Sequence, residues 1–424
     1  MIRAAGLTLA AVFCLSAAAP ESRLEEYFRL RKEAGEAAAA GDLARSEVLL
    51  GRALFLYPTA PWSLIRLARV EVAAGKPHEA VAHLAEYAEL GLTWDVKGDK
   101  ALASLTERAD FAPVAAQLAA NAAPLGSPTV LATLKPGQIY EGLAFHDGAW
   151  LVSSVTDHSI LIVRDGKATP FLKPDETIAG LFGMAVDAGR GWLWVAEAAG
   201  PEIPGSAGPA RTGLLKVDLK SGAILARYPA PEAVQFGDVL LGPKGEVYAS
   251  DSVGAGIWRL PSGGEALNLF AKSRDIASPQ GMALCDGAAL VVADYSTGLH
   301  RVALADGVVE PIAAGPTAAL AGIDGLFGLS RWNARRPEHM GRPFLATQNG
   351  VTPERLLSIT LDSQCRKARI VRPMAANTPG MADLTLGAAS PRWAGFIAGS
   401  GWATQGEADI ELQPAILAIP LRLD

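Results

Sequence analysis

The chain has 424 residues, 50% hydrophobic and 19% charged, with 44 acidic against 38 basic side chains and a formal net charge of −6. That length supports a large core and more than one domain, the apolar content excludes a disordered chain, and the acidic balance argues against a general nucleic-acid binder. Forty-four glycines and 28 prolines beside only 7% aromatics point to many short strands joined by tight turns, and away from an all-helical protein.

Residues 1–18, MIRAAGLTLAAVFCLSAA, read as a secretory signal: Arg3, an apolar run to Leu15, then small residues for cleavage after Ala18. The run is short for a membrane span, and no later stretch reaches the roughly 18 apolar residues that a span needs. The mature protein is therefore expected to be exported, periplasmic or secreted, with no membrane span. It keeps Cys285 and Cys365. Two cysteines in a chain of this size are not a disulfide framework, and the expectation is two buried free thiols.

Residues 20–121 are rich in Ala, Leu, Glu and Arg at helical spacing, and they repeat. Gly41 and Gly75 lie 34 positions apart, as do Ser46 and Ala80, Leu50 and Leu84, and Ala53 and Tyr87. Small residues at Ser46 and Ala80 let paired helices approach closely, and Pro58 ends a helix. The segment resembles tetratricopeptide repeats, two copies with a degenerate third stretch over 94–120, although Leu30 and Leu64 stand at the usual tryptophan position. Such repeats imply either a groove for a peptide or protein partner or a cap that packs on its neighbour. Residues 122–128, AAPLGSP, form a linker.

From residue 129 to 424 the text changes to short Val/Leu/Ile/Trp runs broken by Gly, Asp and Pro. Gly142-Leu-Ala, Gly183-Met-Ala, Gly281-Met-Ala and Gly380-Met-Ala repeat one phrase, with Gly237 and Gly325 filling the series; Leu384–Gly387 is an equally good start for the last unit. Six units of about 40–55 residues predict a six-bladed β-propeller, so the fold is mostly β with an all-α helical domain in front. Val130–Leu134 is expected to supply the outermost strand of the sixth blade and close the ring.

In an up-and-down blade, the start of the innermost strand and the loop between the second and third strands share one face. That parity gathers Glu141, Phe182, Phe236 or Gly237-Asp238, Gln280, Asp324 and Asp383 around one pore mouth. His158, Glu197, Asp251, Asp294, Gln348-Asn349 and Trp402 come from the loops of the same face, and both cysteines fall on the opposite face. Several converging carboxylates need a cation, a proton or a basic group to offset their repulsion.

Glu141-Gly142, the run Val186-Asp187 to Trp194, Tyr248 with Asp251-Ser252, and Pro279-Gln280-Gly281-Met282 resemble successive blade motifs of the gluconolactonase/regucalcin family. The resemblance covers roughly residues 138–305 as motifs and implies a divalent-metal site that hydrolyses sugar lactones. It departs from the family where it matters. Phe182 and Phe236 stand where the family has asparagines, and Gln280 replaces the aspartate that is both ligand and proposed base. A neutral amide lends an oxygen to calcium but does not act as a base near neutral pH. Glu141, Gln280 and Asp324 are the candidate metal ligands of a shifted site, with calcium the fitting ion, and Asp324 alternatively caps its turn. Asp324 and Asp238 are the candidate acid/base residues. Phe182, Phe236, His158, Gln348 and Asn349 are the candidate substrate-binding residues. Asp251 and Asp294 are read as loop-bonding aspartates. Arg331–Arg342, the one basic cluster, is an excursion within the fifth blade.

Two readings remain. One is a metal-dependent hydrolase of lactones or related esters. The other is a non-catalytic binding or scaffold protein that takes a small molecule or peptide at the propeller mouth and a protein partner through the helical repeats.

Overall fold

The computed structural model describes residues 20–175, 177–206, 208–329, 341–403 and 412–421. The proposed signal segment and all but the end of the basic Arg331–Arg342 cluster lie outside the described residues. No helix among the described residues is long and apolar enough to cross a membrane.

Four helices form two antiparallel hairpins: α1 (Arg23–Ala39) with α2 (Leu43–Leu56), and α3 (Pro61–Ala73) with α4 (Pro77–Glu89). Each local signal has a cause. Ser22 caps α1 in a capping box with Glu25, and α3 and α4 begin on Pro61 and Pro77, where a missing N–H costs nothing. Gly41 and Gly75 leave α1 and α3 with φ of +82° and +75°, so the repeated glycine marks the same left-handed turn. Ser46, fully buried, donates its hydroxyl to the Ala34 carbonyl at 2.8 Å and seals the first pair. The degenerate third stretch holds two short 3₁₀ turns and one helix, α5 (Ala112–Asn121).

Six four-stranded antiparallel sheets follow, and the ring closes as expected. Thr129–Thr133 pairs with Ala415–Pro420 as the outermost strand of the blade whose inner strands are Trp393–Ala398 and Gly387–Ala389. The last unit therefore starts from the Leu384–Gly387 phrase, and Gly380 lies before it.

In blades one to five the innermost ladder skips at its start. Tyr140 pairs with Ser154, yet the next pair is Leu143 with Val152; the same break falls at Leu181/Met184, Phe236/Val239, Pro279/Met282 and Ile323/Gly325. A bulge re-aims a side chain. Here it turns one residue per blade toward the axis and presses the next against the neighbouring innermost strand. A Cβ on Gly142 would lie 2.2 Å from the Phe182 carbonyl oxygen, and one on Gly281 would lie 2.2 Å from the Leu326 nitrogen. The repeated glycine is thus a packing requirement of the ring.

The helices sit on the face where the innermost strands begin. Ser22 donates to the Arg274 carbonyl, the Leu24 amide to Asp275, and the Thr93 amide to the Thr352 carbonyl at 2.7 Å. Val351 and Ala319 of the propeller lie in the same core as Leu84, Leu92 and Phe111 of the helical layer. The 122–128 segment is pinned as well: Leu125 exchanges two backbone hydrogen bonds with Ala376 of blade five.

The cysteines overturn the free-thiol expectation. Cys285, in the first turn of blade four, is bonded to Cys365, in the last turn of blade five. Both lie on the face away from the helices, and the bond staples adjacent blades across a separation of 80 residues. Closing a loop of that size removes unfolded-state entropy worth about 4.5 kcal/mol at most. Replacing both cysteines by alanine is expected to lower the unfolding free energy by about 2–4 kcal/mol. Denaturant melts of the double variant beside the wild type measure this, and an unchanged midpoint would contradict it.

Candidate functional site

The bulge register decides which side chains ring the pore. In blades one, two, four and five they are Glu141, Phe182, Gln280 and Asp324, as the sequence pattern suggests. Blade three differs. Gly142, Asp238 and Gly325 each donate their amide to a hydroxyl of the second strand, Ser153, Ser250 and Thr347 respectively, at 2.8–2.9 Å. Asp238 therefore occupies the place of the repeated glycine, and of the two alternatives, Phe236 or Gly237-Asp238, it is Gly237 that holds the axial position. In blade six the amide of Thr385 donates to Ile397 O, and Ile397 donates back to Leu386 O. That register puts Thr385 at the axis, where Asp383 was expected. Asp383 instead accepts from the Gly401 and Ala403 amides and fixes the loop carrying Trp402.

Going round the axis, blades four, five, six and one present Gln280, Asp324, Thr385 and Glu141, and blades two and three present Phe182 and Gly237. Glu141 accepts from the Trp402 indole N–H, a short charge-assisted contact. The Phe182 ring stacks on that indole at 6.4 Å. Asp324 Oδ2 accepts from Asn349 Nδ2 at 2.9 Å, and the same amide group donates to the Leu384 carbonyl at 2.7 Å. Gln280 donates through Nε2 to Ser278, which leaves its carbonyl oxygen beside the space above Gly237. Thr385 is fully buried and its Oγ1 makes no hydrogen bond of normal geometry; Asn349 Oδ1 is likewise buried without a partner.

Burial and then the Asp324 charge push Glu141 up to about 8, with the Trp402 indole and Thr385 hydroxyl pulling it partly back. Burial pushes Asp324 up to about 6, with Thr385 and Asn349 opposing. The two carboxyls titrate as a pair that holds a proton near neutrality. Burial also pushes Asp238 up to about 7, against hydrogen bonds from the Met282 and Val239 amides. Asp238 fastens blade three to blade four through Met282 N at 3.0 Å. It borders a cavity of about 1330 Å³ that opens on the far face between Leu143, Phe145, Met184, Met282 and Phe327.

Of the other candidates only Phe182 touches this chemistry, through the Trp402 indole. Phe182 and Phe236 are 2% and 0% exposed and pack in one core with Trp194 and Trp258, so neither offers a free apolar wall. Gln348 is fully buried, donating to the Ala319 and Ala321 carbonyls and accepting from Arg355. His158 is half-buried in the loop between the second and third strands of blade one at φ +49°, its Nε2 without a partner. Asp251 and Asp294 accept loop amides, from Val234, Gln235 and Gly254 and from Ala277, Ser278, Ser296 and Thr297. Thr385 is the residue that sequence reasoning missed, the sequence puts Trp402 at the mouth without a role, and Asn349, expected to bind substrate, instead holds Asp324. The ambiguity between Gly380 and Gly387 as the last anchor hid Thr385.

The family's metal set does not fit this ring, because blades two and three offer a buried phenyl and no side chain. The opposite arc does fit a hard cation. Gln280, Asp324, Thr385 and Glu141 present oxygen, two carboxylates balance a divalent charge, and a buried hydroxyl stands between them. Among the described residues no group of three or more His, Cys, Asp or Glu side chains is placed to hold a metal. Any ion here is held by two carboxylates with neutral oxygens.

No protein-family profile matches the sequence, and no curated protein matches it. Similar solved structures include the PQQ-bound aldose sugar dehydrogenase from Streptomyces coelicolor, at 17% identity over 70% of this chain and 99% of that one, TM-score 0.46. A calcium-binding regucalcin from Agrobacterium tumefaciens is similar at 14% identity over 70% and 94%, TM-score 0.45. Virginiamycin B lyase from Staphylococcus aureus is similar at 13% identity over 70% and 89%, TM-score 0.43.

The raised carboxyls set a pH dependence. Unfolded, they release protons near pH 4. Between about pH 4 and 8 the folded chain keeps protons that the unfolded chain has lost, so stability falls as pH rises. Melts in chelating buffer should show a Tm that declines from about pH 5 to 8. Glu141→Gln should flatten the upper part of that decline, and a flat wild-type profile would rule out the buried carboxyl pair.

Proposed function

We propose that this chain is an exported, gluconolactonase-like propeller that binds a hard divalent cation, calcium by the chemistry of its donors. The ion is held by Glu141, Asp324, Gln280 and Thr385, and the mouth takes an oxygen-rich small molecule. The carrying observation is the buried Thr385 hydroxyl, set between the Glu141 and Asp324 carboxyls, whose charges repel when no cation lies between them. When bound, the cation supplies a positive centre that orients and polarises a ligand oxygen. Trp402 aims Glu141 inward, Asn349 aims Asp324, and Gln280 contributes a carbonyl.

Binding is favoured over hydrolysis by what stands at the base's position. Gln280 takes up no proton near neutral pH. Glu141 and Asp324 are committed to the ion, and Asp238 is committed to two backbone amides and faces the other cavity. Export is supported by the signal-like segment at 1–18 and by the Cys285–Cys365 bond, which persists in oxidising compartments.

Calorimetric titration of chelator-stripped protein is expected to show one calcium bound per chain, with proton release at pH 7 because Glu141 gives up its proton. Asp324→Asn should weaken calcium binding by about tenfold or more, by losing one of two charges. Absence of calcium binding would overturn the cation site. Chelator-sensitive turnover in a lactone and ester screen would overturn the preference for binding.

A further inference from the structure

One loop of blade five touches both the helical layer and the cation arc. It runs from Gln348 to Arg355, between the second and third strands. On its outer side Arg355 is 3% exposed, and its partners among the described residues are carbonyl oxygens and an amide oxygen. Its Nη1 donates to the carbonyls of Leu90 and Gly91, both at 3.1 Å, at the C-terminal end of α4. Its Nε donates to Gln348 Oε1 at 2.7 Å, and Gln348 in turn holds the Ala319 and Ala321 carbonyls. Thr352 accepts from the Thr93 amide, and Val351 is sunk in the helical core.

On its inner side the same loop holds half of the arc. Asn349 grips Asp324 and the Leu384 carbonyl, as above. Glu354 accepts from the Asp383 amide at 3.0 Å and the Leu384 amide at 2.8 Å, which sets the backbone directly before Thr385. Two of the four arc residues, Asp324 and Thr385, are therefore positioned from residues next to Gln348 and Arg355. Gln280 is positioned independently, through Ser278, and the backbone beside Glu141 is held by Ser153, although the Trp402 that aims the Glu141 carboxyl sits on the loop that Asp383 fixes.

We infer that the helical layer is a regulatory clamp on the cation site. Arg355 is the positioning residue that transmits the docked state of α4 to Asp324 and Thr385. The inference rests on the cation reading above and adds its control. A buried guanidinium whose charge is met only by carbonyl dipoles and an amide is an expensive link. It stays satisfied only while Leu90 and Gly91 are in place. Undocking α4 strands it, and the loop must shift to solvate it. Coupling is reciprocal, so cation binding tightens the helical dock by the same factor that docking tightens cation binding.

The test uses the full mature chain as wild type, Arg355→Gln, Arg355→Lys and Val351→Ala. Calcium affinity is read by calorimetry, and backbone hydrogen exchange is read without calcium at 383–387 and, as control, at 141–145. Arg355→Gln is expected to weaken calcium about tenfold and to speed exchange at 383–387 while leaving 141–145 protected. Arg355→Lys should recover part of both. Val351→Ala loosens the dock without touching a guanidinium contact and should act in the same direction, so it carries the test should Arg355→Gln fail to fold. Unchanged affinity and unchanged exchange at 383–387 in a folded variant whose helices exchange faster would overturn the clamp. A wild type that binds no calcium overturns the cation reading instead, and exchange at 383–387 still decides the clamp.

Discussion

Around the propeller axis, six innermost strands begin close beside one another, and in blades one to five a bulge at the start lets them do so. The geometry admits almost no Cβ at the second bulge position and turns the first toward the axis. Blade three satisfies it differently, with Asp238 bonded across to the Met282 amide. What the pore can do chemically then depends on six axial residues, and the rest of the structure either delivers them there or holds them still.

Those six divide the ring in two. One arc carries Gln280, Asp324, Thr385 and Glu141; the other carries Phe182 and Gly237. The apolar side is not idle, since Phe182 backs the Trp402 indole that orients Glu141. The helical layer is coupled to the same arc. Its repeats pack on the propeller through Val351, Thr352 and Arg355, so one partner of the helices is the chain's own second domain. A cleft of about 830 Å³ at this junction, lined by Arg69, Trp94 and Phe111, remains open to solvent.

Much of this was legible beforehand, because it is written in local repetition. The 34-residue period located two helical hairpins, the glycine phrases located the blades, and Val130–Leu134 closed the ring as expected. Errors came where one residue of register matters. Phe236-Gly237 looks like Phe182-Gly183, yet its ladder break falls one position later, and a single step exchanges the axial side chain for the packed one. The serine at Ser250, matching Ser153 and Thr347, is the signal from which the shift was recoverable. In blade six Thr385, two positions beyond Asp383, stands at the axis, and the rival phrases at Gly380 and Leu384–Gly387 are what obscure it.

The sequence by itself determined the number of blades, the helical layer and the closing strand. These follow from periodicity and residue type, which are properties of short windows. Only the tertiary structure decided that Thr385 stands between Glu141 and Asp324, that Cys285 meets Cys365, and that Arg355 ties α4 to the loop behind Asp324. Each joins residues far apart in the chain, so each depends on where the closed ring and the docked helices bring atoms through space.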